Sequence, residues 1–418
     1  MIRFAPLAVI DYECATALGM TLQETWQAAS AGKSGIGPLT RYAPDQSLLS
    51  GTDKVRVAGQ IPASFETLAG SAAVLQRTPD PTAQALRQVC RRLLERVNPL
   101  ASGLDPARVA VIGGTALTST ITHEAMSGRQ QPLMTGLLTR CQNVPLAMVA
   151  ADWGFTGPQF NVGGACASSG QALLIAGQLL QAGAIDAALV CGFELPLQAS
   201  NAAGFAWLKA AAISAPQEAE SVDPTTLCRP LSADRCGLVM GEGVSALWLT
   251  TSQQAQNHAL PIKGWLRGGA MNSSATSQTA LDQAQVEACM RAAIAHGGYH
   301  VSDIGAISTH ATGTWQGDQA EISALNNVFG DHLSVCPVTA NKSQLGHSMG
   351  AAALISTILT MESLCHQLVL PTLNFNQDKT LPNLLASKLP REHSHNTALV
   401  NAFGFGGTHV SLIVSRDE

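Results

Sequence analysis

The strongest constraint on the fold is the alternation along the chain of short apolar runs and longer helical patterns. Runs typical of strands are "VAVIGG" from Val109, "AALVCGFE" from Ala187 and "VSALWLT" from Val244. Between the first two, an Ala/Leu/Gln-rich segment after Cys166 has the pattern of a helix. Strands that alternate with helices favour a layered α/β fold.

A similar order returns in the second part of the chain. After Thr250 come a helical pattern, "AQVEACMRAAIAHGG", and a strand-like run, "IGAISTHAT". A second helical pattern follows "GHSMG", and the run "VSLIVS" closes the chain. The 418 residues suffice for one duplicated unit. We therefore predict two similar halves, residues 1–250 and 251–418.

Composition and charge exclude several classes of protein. Hydrophobic residues make up 46% and charged residues 13%, which predicts a compact, self-associating chain. The net charge is −5 and the basic residues are scattered, so we expect no nucleic-acid partner. The apolar start is interrupted by Asp11 and Glu13, which predicts a strand rather than a signal peptide. No apolar stretch reaches the roughly 20 residues of a membrane helix, so we expect a soluble, cytoplasmic protein without a membrane partner.

The stretch "NVGGACASSGQALLIAGQLLQAG" places Cys166 among small residues at the start of a predicted helix. The first turn of a helix favours a thiolate, because its free N–H groups and the helix dipole attract negative charge. The small neighbours leave room for a substrate. A buried, inert thiol is the alternative interpretation of this stretch alone. The ten cysteines include no CxxC pair and no zinc-type cluster, so we expect no metal site.

Two further motifs carry polar residues at predicted element ends. "STHATGTWQGDQAEISAL" places His310 at a strand end, ahead of Asp318 and Glu321. "NKSQLGHSMGAAAL" places Lys342 and His347 on a loop before a helix of small residues. Strand ends are where α/β folds form their sites. Each motif by itself also fits ordinary core residues.

The order of these motifs resembles that of the β-ketoacyl synthases, the elongating Cys-His-His condensing enzymes of the thiolase superfamily. The resemblance rests on five stretches that are similar to motifs of that family: "GACASS", "THATGTWQGDQAE", "NKSQLGHSMGAA", "NAFGFGGTH" and the turn "CRPLSADRCGLVMGEG". It implies a thiolase-like α/β fold, with two similar halves in five layers, α-β-α-β-α. It also implies decarboxylative Claisen condensation of an acyl thioester with malonyl-acyl carrier protein.

The resemblance also implies roles for individual residues. Cys166 is the nucleophile, and His310 and His347 donate hydrogen bonds, as neutral imidazoles, to the malonyl thioester oxygen. The backbone N–H groups of Cys166 and Phe405 form an oxyanion hole, and the Phe405 ring gates the malonyl side. Lys342 orients the His347 loop.

The resemblance also implies that two acidic residues support the site. Glu321 fixes the His347 loop by hydrogen bonding, and Asp318 supports the site beside it. No metal or organic cofactor is implied, because a phosphopantetheine arm arrives on the carrier protein. The implied partners are acyl carrier protein and a second subunit, in a homodimer or in a heterodimer with a related synthase subunit. Arg129 and Arg140 are candidate carrier contacts.

Other functions within and beyond this superfamily require different residues in the same motifs. A degradative thiolase needs a second cysteine in "NAFGFGGTHVS", and the Cys-His-Asn synthases have Asn where this chain has His347. Departures such as "RPLSADRCG" favour a specialised polyketide-type pathway over housekeeping fatty acid synthesis. A non-catalytic partner subunit, related to chain-length factors, and a thioester hydrolase remain the rival functions.

Overall fold

The computed structural model describes residues 5–42, 51–62, 80–117, 141–213, 222–275 and 279–417. The strand-like runs and helical patterns quoted from the sequence coincide with observed strands and helices. The strands in these ranges are β1 (Leu7–Thr16), β2 (Ile36–Pro38), β3 (Val57–Gly59), β4 (Val109–Gly114), β5 (Gln159–Val162), β6 (Ala187–Glu194), β7 (Gly243–Thr251), β8 (Gly264–Ser273), β9 (Ala306–Ser308), β10 (Val338–Thr339), β11 (Leu368–Val369), β12 (Arg391–Glu392), β13 (Thr397–Gly404) and β14 (Thr408–Ser415).

The α-helices complete the framework, and short 3-10 turns connect several of them. The helices in the described ranges are α1 (Leu22–Ser30), α2 (Pro81–Val97), α3 (Val144–Trp153), α4 (Ser168–Gln181), α5 (Ala199–Trp207), α6 (Ser252–Asn257), α7 (Gln283–Gly297), α8 (Trp315–Phe329), α9 (Lys342–Leu345) and α10 (Ala352–His366).

Helix ends follow local sequence rules. Thr21 and Glu24 form a capping box at the start of α1. Asp80 caps α2 by accepting a hydrogen bond from the Thr82 backbone N–H, with proline at the first helical position. Gly298 ends α7 in the left-handed conformation, which glycine adopts without a Cβ penalty. These ends are therefore encoded locally.

Ten strands form one mixed sheet in the order β10-β9-β13-β14-β8-β1-β7-β6-β4-β5. Five strands of this sheet come from β1–β7 and five from β8–β14, because β2 pairs with β3 and β11 with β12 in separate two-stranded sheets. Both sets of five have the same spatial order, with three parallel strands followed by two antiparallel ones. The two sets meet where β1 pairs with β8 through Leu7, Ala8 and Val9. The boundary between residues 250 and 251 stays a prediction.

Helices cover both faces of each set of strands, which explains the nearly continuous apolar runs. Leu247 of β7 and Leu412 of β14 both pack into a central core with α4 and α10. Their neighbours in sequence point the other way, since side chains alternate along a strand. Trp248 packs with α2 and α3, and Ile413 packs with α7 and α8. These five layers confirm the expected thiolase-like architecture.

One helical stretch in the described residues, Met349–His366, is long and apolar enough by composition to cross a membrane. Most of it is buried inside the protein, where α10 forms part of the central layer. A core helix between two sets of strands needs the same apolar surface on all sides.

Candidate active site

Residues from distant segments line one cavity, at the ends of strands from both sets. Six of the seven predicted site residues lie on its wall: Cys166, His310, Asp318, Glu321, His347 and Phe405. Much of the remaining wall is apolar, with Phe205, Leu238 and Phe403 among its residues. The tertiary structure therefore brings the predicted residues together, with Lys342 buried outside the lining.

Cys166 lies in a tight turn between β5 and α4. The 3-10 helix Ala165–Ala167 precedes α4, and Ala165 has a φ of 48°, which is uncommon for a residue with a side chain. The Ser168 hydroxyl accepts a hydrogen bond from the Gly164 N–H at 2.9 Å and donates one to the Ala165 carbonyl at 2.6 Å. These bonds hold the turn that presents the thiol to the cavity.

The glycine-rich turn after β13 packs against the turn that carries Cys166. The Thr408 hydroxyl donates a hydrogen bond to the Gly164 carbonyl at 2.9 Å. A Cβ on Gly404 would lie 2.6 Å from that carbonyl oxygen and 3.0 Å from the Cys166 nitrogen, so only glycine fits there. The backbone N–H groups of Phe405 and of Cys166 both interact with the Cys166 sulfur.

Burial decides the ionisation of Cys166. It raises the pKa of the thiol to about 12, with the charge of Glu194 acting in the same direction. The positive charge of Lys342 and the two backbone N–H groups lower this pKa without reversing the effect of burial. The backbone N–H group at the helix start thus favours the thiolate, as expected, but removing the charge from water costs more than the N–H groups return, so the net pKa of the thiol is raised.

Glu321 holds the segment that carries His310. Its carboxylate accepts hydrogen bonds from the backbone N–H groups of His310 at 2.9 Å and Ala311 at 2.8 Å, and from the Asn401 amide at 3.2 Å. Sequence reasoning assigned Glu321 to the His347 loop, and that assignment is wrong. Glu321 lies on α8, which starts soon after His310 and turns back beneath that strand end.

Asp318 joins the His310 segment to the turn that contains Leu231. Its carboxylate accepts hydrogen bonds from the backbone N–H groups of Leu231 at 2.7 Å, Thr312 at 3.0 Å and Gly313 at 3.1 Å. Leu231 has a φ of 63°, so a non-glycine residue is held in the left-handed region at this bond. Asp318 thus supports the loop on which His310, Thr312 and Thr314 lie.

The His347 loop is held through its backbone. The His347 N–H donates to the Val239 carbonyl at 2.7 Å, and the His347 carbonyl accepts from the Gly241 N–H at 2.8 Å. Lys342 lies at the start of α9, and burial lowers its pKa to about 8 against the raising effects of Glu321 and Cys166. Lys342 therefore contributes positive potential beside the cavity.

The two histidine side chains form one polar cluster in an apolar wall. Their ring centroids are 5.5 Å apart and the rings are nearly perpendicular. Nδ1 of His310 and both ring nitrogens of His347 are buried without a hydrogen-bond partner in the described part of the chain. Burial, with the charge of Lys342, holds the pKa of both imidazoles well below the usual value. Both rings are therefore neutral near pH 7 and face the cavity with unused hydrogen-bonding capacity.

One polar residue beside the site was missed by the sequence analysis, and two predicted residues cannot be placed. Glu194 ends β6 and hydrogen-bonds backbone groups near both Cys166 and His347. Its signal in the sequence is an acidic residue at the end of an otherwise apolar strand run. Arg129 and Arg140, the candidate carrier contacts, lie outside the described residues.

Comparisons with known proteins match two family models to consecutive parts of the chain. Residues 5–255 match the family model described as "Beta-ketoacyl synthase, N-terminal domain", and residues 264–376 match "Beta-ketoacyl synthase, C-terminal domain". The chain is 28% identical over 415 residues to the chloroplastic 3-oxoacyl-[acyl-carrier-protein] synthase I of Hordeum vulgare, covering 96% of this chain and 86% of that protein.

Solved structures with this fold include partners of two kinds. One is the AntDE:AntF complex, described as a type II polyketide acyl-carrier protein with its ketosynthase, with a TM-score of 0.85, 22% identity and coverage of 99% and 100%. Another is the ketosynthase ApeO with its chain length factor ApeC from Xenorhabdus doucetiae, with a TM-score of 0.81, 22% identity and coverage of 99% and 98%. At this identity the likeness concerns the fold. Because the two matched family models span most of the sequence, the chain belongs to the β-ketoacyl synthase family.

Proposed function

We propose that the chain is a β-ketoacyl-[acyl carrier protein] synthase, which condenses a cysteine-bound acyl chain with malonyl-acyl carrier protein. The observation that carries the proposal is the cavity itself. It combines one thiol, flanked by two backbone N–H groups, with two neutral imidazoles whose buried nitrogens have no hydrogen-bond partner among the residues that the structure describes. Acyl transfer needs the first arrangement and enolate stabilisation needs the second.

In the first half-reaction, Cys166 attacks the carbonyl carbon of an acyl thioester. The new bond joins Sγ to that carbon, the carrier thiol leaves, and the cysteine proton passes to the leaving sulfur. Negative charge grows on the carbonyl oxygen in the transition state. The N–H groups of Cys166 and Phe405 stabilise it as an oxyanion hole, which works best with donors fixed in advance.

In the second half-reaction, the malonyl thioester loses carbon dioxide. The electron pair of the broken carbon–carbon bond stays on the thioester, which becomes an enolate. His310 and His347 donate N–H hydrogen bonds to the enolate oxygen, and neutral rings can do so without first being protonated. The enolate carbon then attacks the acyl carbon on Cys166, and the cysteine sulfur leaves and is reprotonated. Glu321 and Asp318 keep the His310 segment in place, and Lys342 adds positive potential.

Substrate delivery and assembly complete the proposal. A phosphopantetheine arm on an acidic acyl carrier protein brings both thioesters, and the chain requires no other cofactor. The chain works as a homodimer or beside a related synthase subunit. The solved ketosynthase complex with its carrier, and the one with a chain length factor, support both kinds of partner.

Mass spectrometry of the chain with a panel of acyl-carriers tests this function. We expect an acyl adduct and a cerulenin adduct on Cys166, and condensation once malonyl-carrier is added. Cys166→Ala should reduce condensation below about a hundredth of wild type, since the nucleophile is gone. Cys336→Ala is the matched control, because that thiol is buried in the core of the second half and lies outside the cavity wall. Absence of any adduct would indicate a non-catalytic partner subunit, and free acid without carbon dioxide a hydrolase.

A further inference from the structure

A buried carboxylate outside the predicted catalytic set lies between the segment that follows β4 and the loop that follows His347. Glu194 is 1% exposed at the end of β6. It accepts hydrogen bonds from the backbone N–H groups of Ala116 at 2.6 Å, Leu117 at 2.9 Å and Gly350 at 3.1 Å, and from the Thr115 hydroxyl at 3.2 Å. In the described part of the chain, no basic side chain forms an ion pair with Glu194. Backbone N–H groups therefore stabilise its charge.

These bonds join two segments that belong to different parts of the sequence. Gly350 lies in the 3-10 helix Met349–Ala351, which begins two residues after His347 and contacts the turn of Cys166. The other donors follow the end of β4. The two backbones touch, since a Cβ on Gly350 would lie 2.4 Å from the Ala116 nitrogen. One carboxylate oxygen, Oε2, accepts from both Ala116 and Gly350, so it links the segments directly.

The orientation of His347 depends on this backbone. Neither of its ring nitrogens has a hydrogen-bond partner in the described residues, so no side chain fixes the ring through a hydrogen bond. Val239 and Gly241 hold the main chain at His347 itself. Beyond His347, the loop is held where Glu194 accepts from the Gly350 N–H. A displacement of about 1 Å in a catalytic group can cost about a hundredfold in rate.

We propose that Glu194 is a positioning residue for His347, acting through the Gly350 N–H to place the imidazole for malonyl decarboxylation. The inference rests on the proposed synthase function. Glu194 touches neither of the proposed reacting groups, and it acts by holding the loop. Burial raises the pKa of this carboxyl to about 7. The backbone N–H groups of Ala116, Leu117 and Gly350 lower it, so these hydrogen bonds favour the ionised carboxylate, which can only accept.

Glu194→Gln separates positioning from general support. The amide keeps the shape of the side chain but turns one oxygen into an N–H₂ donor that faces backbone N–H groups. We expect malonyl-carrier decarboxylation to slow by about tenfold or more, while Cys166 acylation by acyl-carrier is not slowed, because loss of the Glu194 charge favours the Cys166 thiolate. Carbon dioxide release measures the first step, and mass spectrometry of the acyl-enzyme measures the second.

Asp80→Asn is the matched control for this substitution. Asp80 is a buried carboxylate that accepts backbone hydrogen bonds at the start of α2, among them one from Thr82 at 2.9 Å, and it lies outside the cavity wall. We expect it to lower the thermal stability while leaving the ratio of the two half-reaction rates unchanged. A shift in the ratio in the Glu194 variant then reports on position rather than on stability.

The outcomes separate this inference from the proposed function. Equal slowing of both half-reactions by Glu194→Gln, or no slowing, overturns the positioning role while the synthase activity stands. A wild-type chain that forms no acyl-enzyme overturns the function and this inference with it. If Glu194→Gln does not fold, Glu194→Asp keeps the charge and shortens the reach, and the same selective loss of decarboxylation is expected. Its absence in a folded Asp variant overturns the proposal equally.

Discussion

The pH dependence of Cys166 alkylation tests how the cavity controls its nucleophile. Burial raises the pKa of this thiol from the reference value of 9.0 to about 12. Only the thiolate reacts with iodoacetamide, so at pH 8 about one molecule in ten thousand is reactive, against roughly one in ten for a thiol at the reference value. We therefore expect alkylation of Cys166 about a thousandfold slower than that of an accessible thiol with the reference pKa.

The measurement is peptide mass spectrometry after timed alkylation between pH 6.5 and 9.5, with the exposed Cys141 in the same digest as internal reference. Because a raised pKa moves the titration above this window, the Cys166 rate should keep rising towards pH 9.5 without a plateau. The rise should be shallower near pH 8, where Lys342, with a pKa of about 8, loses the charge that favours the thiolate. Lys342→Met should lower the rate below pH 8 and remove that shallow region.

A plateau below pH 9 in the wild type would refute the reasoning. It would mean that the thiol is ionised in the free protein, through an imidazolium or a stronger effect of the helix start than burial allows. The direction of the shift in the Cys166 pKa is clear, since burial by itself disfavours the charged form of a thiol. A plateau that persists in Lys342→Met would also exclude the lysine as its cause.

Three further outcomes follow from the site and the proposed function. His310→Ala and His347→Ala should each slow malonyl decarboxylation by about 10²- to 10³-fold, or about 2.7 to 4 kcal/mol, while mass spectrometry still detects Cys166 acylation; equal losses in both steps would contradict the division of roles. Gly404→Ala should slow acylation by about a hundredfold, because its Cβ would displace an oxyanion-hole turn, whereas Gly163→Ala, whose Cβ meets nothing within 4 Å, should leave acylation unchanged. The carrier on-rate in stopped flow should fall as salt rises, because charge steering is screened beyond about 10 Å at 0.1 M; a flat on-rate would indicate apolar recognition.

Local patterns in the sequence predicted the elements and the identity of the site. The runs at Val109 and Ala187 became β4 and β6 with the bounds that the patterns suggested, because a fully buried strand between helices must be apolar along its length. The motifs around Cys166, His310 and His347 each fit ordinary core residues when taken alone, and their chemistry was predicted from the resemblance of the whole set to the β-ketoacyl synthases. The neutral state expected for both imidazoles agrees with their burial.

The tertiary structure alone decided which groups face one another across the cavity. Glu321 supports the His310 segment instead of the His347 loop, since the direction of α8 sets which backbone its carboxylate reaches. Glu194 gains its place only when the ends of β4 and β6 meet the loop after His347. The pKa of Cys166 likewise depends on how completely distant segments exclude water from the thiol. Helix and turn preferences act over a few neighbouring residues, whereas desolvation and hydrogen bonding across the cavity depend on residues far apart in the chain.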